Sequence, residues 1–98
     1  MSAILSDYQE IDHVARRHQM GLWLKQLRED AGLTQREMAT SLGLEYYTFI
    51  SQLENGRGKI PQQRYRDWAK VLNINEQQFV KNLLRFTEPL TYSILFSD

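Results

Sequence analysis

Residues Leu33 to Gly56, LTQREMATSLGLEYYTFISQLENG, decide the fold. They read as two short amphipathic helices joined by a tight turn at Gly43. Thr34-Gln35-Arg36-Glu37 has Thr with Glu three residues later, the pattern in which side chain and backbone cap each other at a helix start. Met38, Ala39 and Leu42 fall on one face of that helix, and Gly43 ends it. Glu45 to Asn55 reads as the second helix, with Phe49, Ile50 and Leu53 facing inward. Gly56-Arg57-Gly58 is a loop.

The neighbouring segments are helical as well. Upstream, Met20, Trp23, Leu24 and Leu27 form an apolar stripe flanked by Lys25 and Arg28, and Gly32 terminates it. Further upstream, Ser6 or Asp7 is a candidate cap, with Ile11, Val14, Ala15 and His18 at helical spacing. That helix either runs into the next or kinks near Gly21. Downstream, Pro61 suits a first helical turn, and Tyr65, Trp68, Ala69 and Leu72 make a strong stripe. Asn73 or Asn75 caps a further helix carrying Phe79, Val80, Leu83 and Leu84. No segment reads convincingly as a strand. The expected architecture is a compact all-α domain of five helices with short loops. Thr87 to Asp98 is unusually apolar for a chain end, and strand and helix fit it equally. Such an end either folds back on the core or pairs with a second chain.

The chain has 98 residues, enough for one small domain. It has no cysteine, which excludes a disulfide scaffold and thiolate-held zinc. His13 and His18 are five apart, not on one helix face as a metal pair would be. No HExxH-like motif, phosphate loop or Ser-His-Asp set is legible, so the expectation is no enzyme, no metal and no cofactor. The N-terminus lacks the features of a signal peptide and no run approaches a membrane span, so a cytoplasmic location is expected. Net charge is zero, which argues mildly against a polyanion partner. Its distribution argues the other way. Asn55 to Lys70 carries five basic residues (Arg57, Lys59, Arg64, Arg66, Lys70) and one acid, Asp67, while the remainder of the chain is acidic on balance.

From about Met20 to Phe79 the sequence resembles the XRE family of helix-turn-helix regulators, the phage Cro and repressor type. The resemblance rests on Leu24-Lys25-Gln26-Leu27-Arg28-Glu29, Gly32-Leu33-Thr34-Gln35, Met38-Ala39, Leu42-Gly43, Ile50-Ser51-Gln52-Leu53-Glu54-Asn55-Gly56, Ile60-Pro61 and Trp68-Ala69-Lys70-Val71-Leu72. It implies a lambda-repressor-like fold with an N-terminal helical extension (1–19), a DNA-binding domain (20–86) and a C-terminal tail (87–98) available for dimerisation. One departure stands out. Gly43 and Gly56 are thirteen apart, where the family has twelve, so one residue is inserted within Leu44-Glu45-Tyr46.

Counting back from Ile50 places Tyr46 near the N-cap and Tyr47, Thr48 and Gln52 at base-facing positions, with Tyr46 beside them. Thr48 suits a thymine methyl and Gln52 an adenine edge. Gln35, Ser51, Asn55, Arg57, Lys59 and Arg64 are the candidate phosphate contacts, and Glu54 is structural. The implied protein is a cytoplasmic bacterial or phage regulator, a homodimeric repressor that reads a near-palindromic operator in double-stranded DNA. Two alternatives stay open. One is an antitoxin whose terminal extensions bind a toxin protein while the helix-turn-helix represses the operon. The other is a protein-interaction module that binds no DNA, which the zero net charge and the tyrosines would suit.

Overall fold

Helix α1, Ser2–Asp30, is continuous in the computed structural model, which describes residues 2–96 and the side chains of residues 12–96. Neither a cap at Ser6 or Asp7 nor a kink at Gly21 is present, since all three lie inside this helix. Gly21 has another role. A Cβ there would come within 2.5 Å of the Glu54 carbonyl oxygen and 2.7 Å of that of Leu53. The helix tolerates glycine at that point because α1 lies on the carbonyl end of a neighbouring helix, backbone against side-chain-free backbone.

Five helices follow: α2 (Gln35–Ser41), α3 (Thr48–Glu54), α4 (Tyr65–Val71), α5 (Glu76–Thr87) and α6 (Pro89–Phe96), with a 3-10 turn at Gln62–Arg64 before α4. Among the described residues there is no strand. The expected fold class stands, with six helices instead of five because the tail is helical.

The core forms where α1, α3, α4 and α5 meet. Met20 and Leu24 from α1, Ile50 and Leu53 from α3, Trp68 and Ala69 from α4, and Phe79 and Leu83 from α5 are all buried. Trp23 stacks on Phe79 with ring centroids 5.6 Å apart and also meets Phe86 at 5.5 Å. Phe49 meets Trp68 edge-on at 6.4 Å. Such aromatic pairs add about 0.5–1.5 kcal/mol each beyond the area they bury.

The two candidate asparagines divide the work between them. Asn73 adopts φ 57 and ends α4. Asn75 caps α5, its side-chain oxygen accepting from the Gln78 backbone N–H at 3.0 Å.

The first half of α1 departs from expectation. Val14, Ala15 and His18 are exposed, and Met20 is the first buried residue along the described side chains. Ile11 lies outside the described side chains. The apolar spacing upstream of Met20 therefore does not feed this core. Helix α6 packs on α5, with Tyr92 and Phe96 in contact at 5.1 Å and covered by Arg85 and Lys81. Leu90, Ile94 and Leu95 stay exposed.

Gly21→Ala is expected to destabilise the fold by about 1–3 kcal/mol, the usual cost of forcing an extra methyl into a filled contact. Urea denaturation of the two proteins measures it. An unchanged midpoint would mean that α1 and α3 are not in backbone contact.

Candidate nucleic-acid interface

The interface is built from α2, the turn after it, and α3. Helix α2 starts as the sequence requires. The Thr34 hydroxyl accepts from the Glu37 backbone N–H at 3.1 Å, and the Thr34 backbone N–H donates to the Glu37 carboxylate at 3.0 Å. That backbone bond, aided by the hydroxyl, holds the Glu37 carboxyl below its ordinary range. The helix ends at Leu42 with Gly43 at φ 71, a conformation that favours glycine. Leu44 N–H then returns to the Ala39 carbonyl at 2.9 Å.

The extra residue lies in the turn. Helix α3 begins at Thr48 with Tyr47 as its cap residue, and the first helical bond runs from Ser51 N–H to the Tyr47 carbonyl at 3.1 Å. The cap is thus one residue later than the expected Tyr46, and Glu45 and Tyr46 lead into it outside any helix. No cap side chain bonds the helix start.

Thr48 and Gln52 are exposed and four apart, so they share one face of α3. Tyr46 is 67% exposed and covers no core. Tyr47 is 39% exposed, and its ring lies 5.1 Å beneath the guanidinium of Arg36 from α2. That cation–π contact ties the turn to the preceding helix. Ser51 is half-buried, and Asn55, Arg57 and Lys59 are exposed just after α3.

The far end of α3 is held by a buried ion pair. Arg28 is 8% exposed and Glu54 9%. The Arg28 Nε donates to Glu54 Oε2 at 2.7 Å and a terminal nitrogen donates to Oε1 at 3.1 Å. The other terminal nitrogen donates to the Leu33 carbonyl at 2.7 Å. The Gln35 amide completes the node, donating to Glu54 Oε1 at 3.0 Å. The hydrogen bonds and charge of Glu54 outweigh burial and raise the Arg28 pKa above its ordinary value. Arg28 is therefore no solvated flank of α1, and Gln35 spends one amide N–H inside the protein.

Two other expected phosphate contacts are also committed. Asn55 Nδ2 donates to the Ser51 carbonyl at 2.9 Å, closing α3. Arg64 donates to the Leu42 carbonyl at the end of α2 and pairs with Asp67 at 3.5 Å. Arg66 pairs with Glu76 at 3.2 Å. Of the basic run, Arg57, Lys59 and Lys70 meet no carboxylate among the described residues.

Two helices, α2 and α3, are thus joined by a glycine turn, with a short exposed polar face on the second. A helix-turn-helix family model, HTH_3, matches residues 24–79. The chain belongs to the helix-turn-helix family of XRE and Cro-repressor type. It is a DNA-binding regulator, and this family is one of regulators rather than enzymes. No curated protein matches the chain. The helix-turn-helix match begins in the second half of α1 and ends within α5, leaving the first part of α1 and all of α6 outside it. Among the described residues no helix is long and apolar enough to cross a membrane, and no cluster of acids and histidines could hold a metal ion.

The sequence reading set Arg28 on the flank of α1, whereas it is buried, and gave Arg36 no role. Arg28 continues the row Met20, Leu24 at intervals of four, so its place on the buried face was available from spacing. The position of Arg36 over Tyr47 depends on the longer turn and had no local signal.

Removing one member of a buried pair strands the other charge. Glu54→Ala should cost about 3–5 kcal/mol in denaturant titrations, and the double variant Arg28→Met with Glu54→Leu clearly less. Equal losses for the two would show that packing, not charge, dominates the node.

Proposed function

We propose that this helix-turn-helix regulator is a homodimeric transcriptional repressor that reads a near-palindromic operator through the major groove. The observation that carries the reading is the exposed pair Thr48 and Gln52 on one face of a helix whose far end is locked by Arg28, Glu54 and Gln35. A helix locked at its far end presents base-reading groups with less entropy left to lose. In this reading Thr48 and Gln52 contact bases. Tyr46 and Tyr47 flank them, packing on sugar or a thymine methyl.

Arg57 and Lys59 grip the phosphates beyond α3, joined by Ser51 and by Asn55. Gln35 keeps a second amide N–H for phosphate beyond the one it gives Glu54. Arg64 drops out of this set, because its guanidinium already braces α2 through the Leu42 carbonyl. Homodimerisation follows from operator symmetry: two recognition helices entering successive major grooves call for a two-fold axis between them. Two apolar faces are open for it, one on α6 and one on α1.

A second reading has its own support. The segments outside the family match carry exposed Val14, Leu22, Leu90, Ile94 and Leu95. These suit a protein partner, such as a toxin neutralised by an antitoxin that also represses its operon. Stoichiometric co-purification of a second, unrelated chain would favour it.

Binding to the DNA upstream of its own gene, against scrambled DNA and across a salt series, tests the repressor reading. A specific complex that weakens steeply with salt is expected. No preference for any candidate site at low salt would sink it. Gln52→Ala should lose about 1–3 kcal/mol of discrimination at one base-pair position and little non-specific affinity. Unchanged discrimination would place the base-reading register elsewhere. Arg57→Ala should weaken all sequences alike and lower the slope of log affinity against log salt by about 1. A loss confined to one sequence would make Arg57 a base reader instead.

A further inference from the structure

A helix lying in a major groove has a phosphate backbone beyond each of its ends. Beyond the C-terminal end of α3 stand Arg57 and Lys59, exposed and without a carboxylate partner among the described residues. Near its N-terminal end the cations are Arg64 and Arg36. Arg64 is spent on the Leu42 carbonyl and on Asp67. Arg36 is exposed and meets no carboxylate among the described residues. None of its N–H groups has an acceptor among them either.

What Arg36 does touch is an aromatic face. Its guanidinium carbon lies 5.1 Å from the centroid of the Tyr47 ring. The longer turn leaves Tyr47 at the cap position, with no side-chain hydrogen bond to the start of α3. The ring lies back toward α2, where it lines a cleft of about 700 Å³ with Leu33, Thr34, Gln35 and Arg36. One acid, Glu29, also lines the cleft and does not pair with Arg36. Stacking occupies one face of a planar guanidinium and leaves its N–H edge open. That edge matches two oxygens of one phosphate. The ring also restrains a long side chain before any ligand arrives, so less rotamer freedom is lost on binding. The second amide N–H of Gln35 is a further donor on the same cleft.

We infer that Arg36 contacts a phosphate of the DNA strand at the N-terminal end of α3, and that Tyr47 is the platform that positions it. The inference rests on α3 being the helix that enters the groove. It needs neither a defined operator nor a second copy of the chain. It gives the tyrosine of the inserted turn a backbone role, and it gives the recognition helix a cation at each end.

The stack is tested first without DNA, by NMR of the full chain. Arg36 side-chain protons should lie upfield under the Tyr47 ring, and Tyr47→Leu should return them to ordinary positions. Unshifted protons in the wild type overturn the platform.

DNA binding is then measured across a salt series on two duplexes of equal length, one selected by the wild type from a random pool and one scrambled. Arg36→Ala should weaken both alike and lower the slope of log affinity against log salt by about 0.9. Tyr47→Phe, which keeps the ring, should bind as the wild type does. Tyr47→Leu removes no charge, yet it should weaken both duplexes by a similar factor. Its loss should vanish in an Arg36→Ala background, because the platform then carries nothing. Unchanged helical circular dichroism shows that the variants fold. An unaltered slope for Arg36→Ala overturns the phosphate contact. Additive losses, or a Tyr47→Leu effect confined to the selected duplex, overturn the platform. If the wild type prefers neither duplex while Arg36→Ala still lowers the slope, the operator reading fails and the phosphate contact stands. No binding to either duplex at low salt overturns both.

Discussion

The Arg28–Glu54 pair is the contact on which the rest of the structure depends. It joins α1 to the end of α3 and, through Gln35, to the start of α2. The third arm of Arg28 holds the Leu33 carbonyl, in the loop between α1 and α2. Three helices and one loop therefore share a single node. Taking two charges out of water costs several kcal/mol each, and only complete hydrogen bonding offsets it. Here each guanidinium nitrogen of Arg28 donates to a named acceptor, and both Glu54 oxygens accept. A node of this kind adds little net stability over an apolar packing of similar shape. It penalises every misaligned arrangement of α3, because any shift strands a charge.

Gly21 makes that node geometrically possible. With no Cβ, α1 approaches the last carbonyls of α3 closely enough for Arg28, two turns further along, to reach Glu54. The Arg28 guanidinium then meets the Glu54 carboxylate through two nitrogens and the Leu33 carbonyl through the third. His18 lies on the same side against Gly56, where a Cβ would meet its ring at 3.2 Å. The recognition helix is seated from behind by α1 at Gly21, His18 and Arg28, which leaves its other face for solvent.

Local signals were legible in the sequence and non-local ones were not. The capping box at Thr34 and the turn glycine at position 43 depend on residues within a few positions of one another and formed as read, and of the two asparagines offered as a cap Asn75 takes the role. The start of α3 shifted by one because the inserted residue was absorbed by the turn, which Arg36 holds through Tyr47. Gly21 left a continuous helix and a kink equally open because nothing local shows that another helix's backbone passes over it. Val14, Ala15 and His18 had helical spacing, yet spacing alone does not say which of two faces meets the core. Thr48 and Gln52 are exposed, while Gln35 and Arg64 are drawn inward by acceptors distant in sequence.

The same inward commitments limit the electrostatics. Arg28, Arg64 and Arg66 are spent on carboxylates and carbonyls of the chain itself. Arg36, Arg57 and Lys59 are the cations left beside the two helices, on a chain of zero net charge. With roughly 0.9 counterions released per neutralised phosphate, three cations provide a modest non-specific affinity. One chain alone would thus hold DNA weakly and read few bases. Two copies fixed in one geometry make the second half-site an intramolecular event and multiply affinity without any new contact.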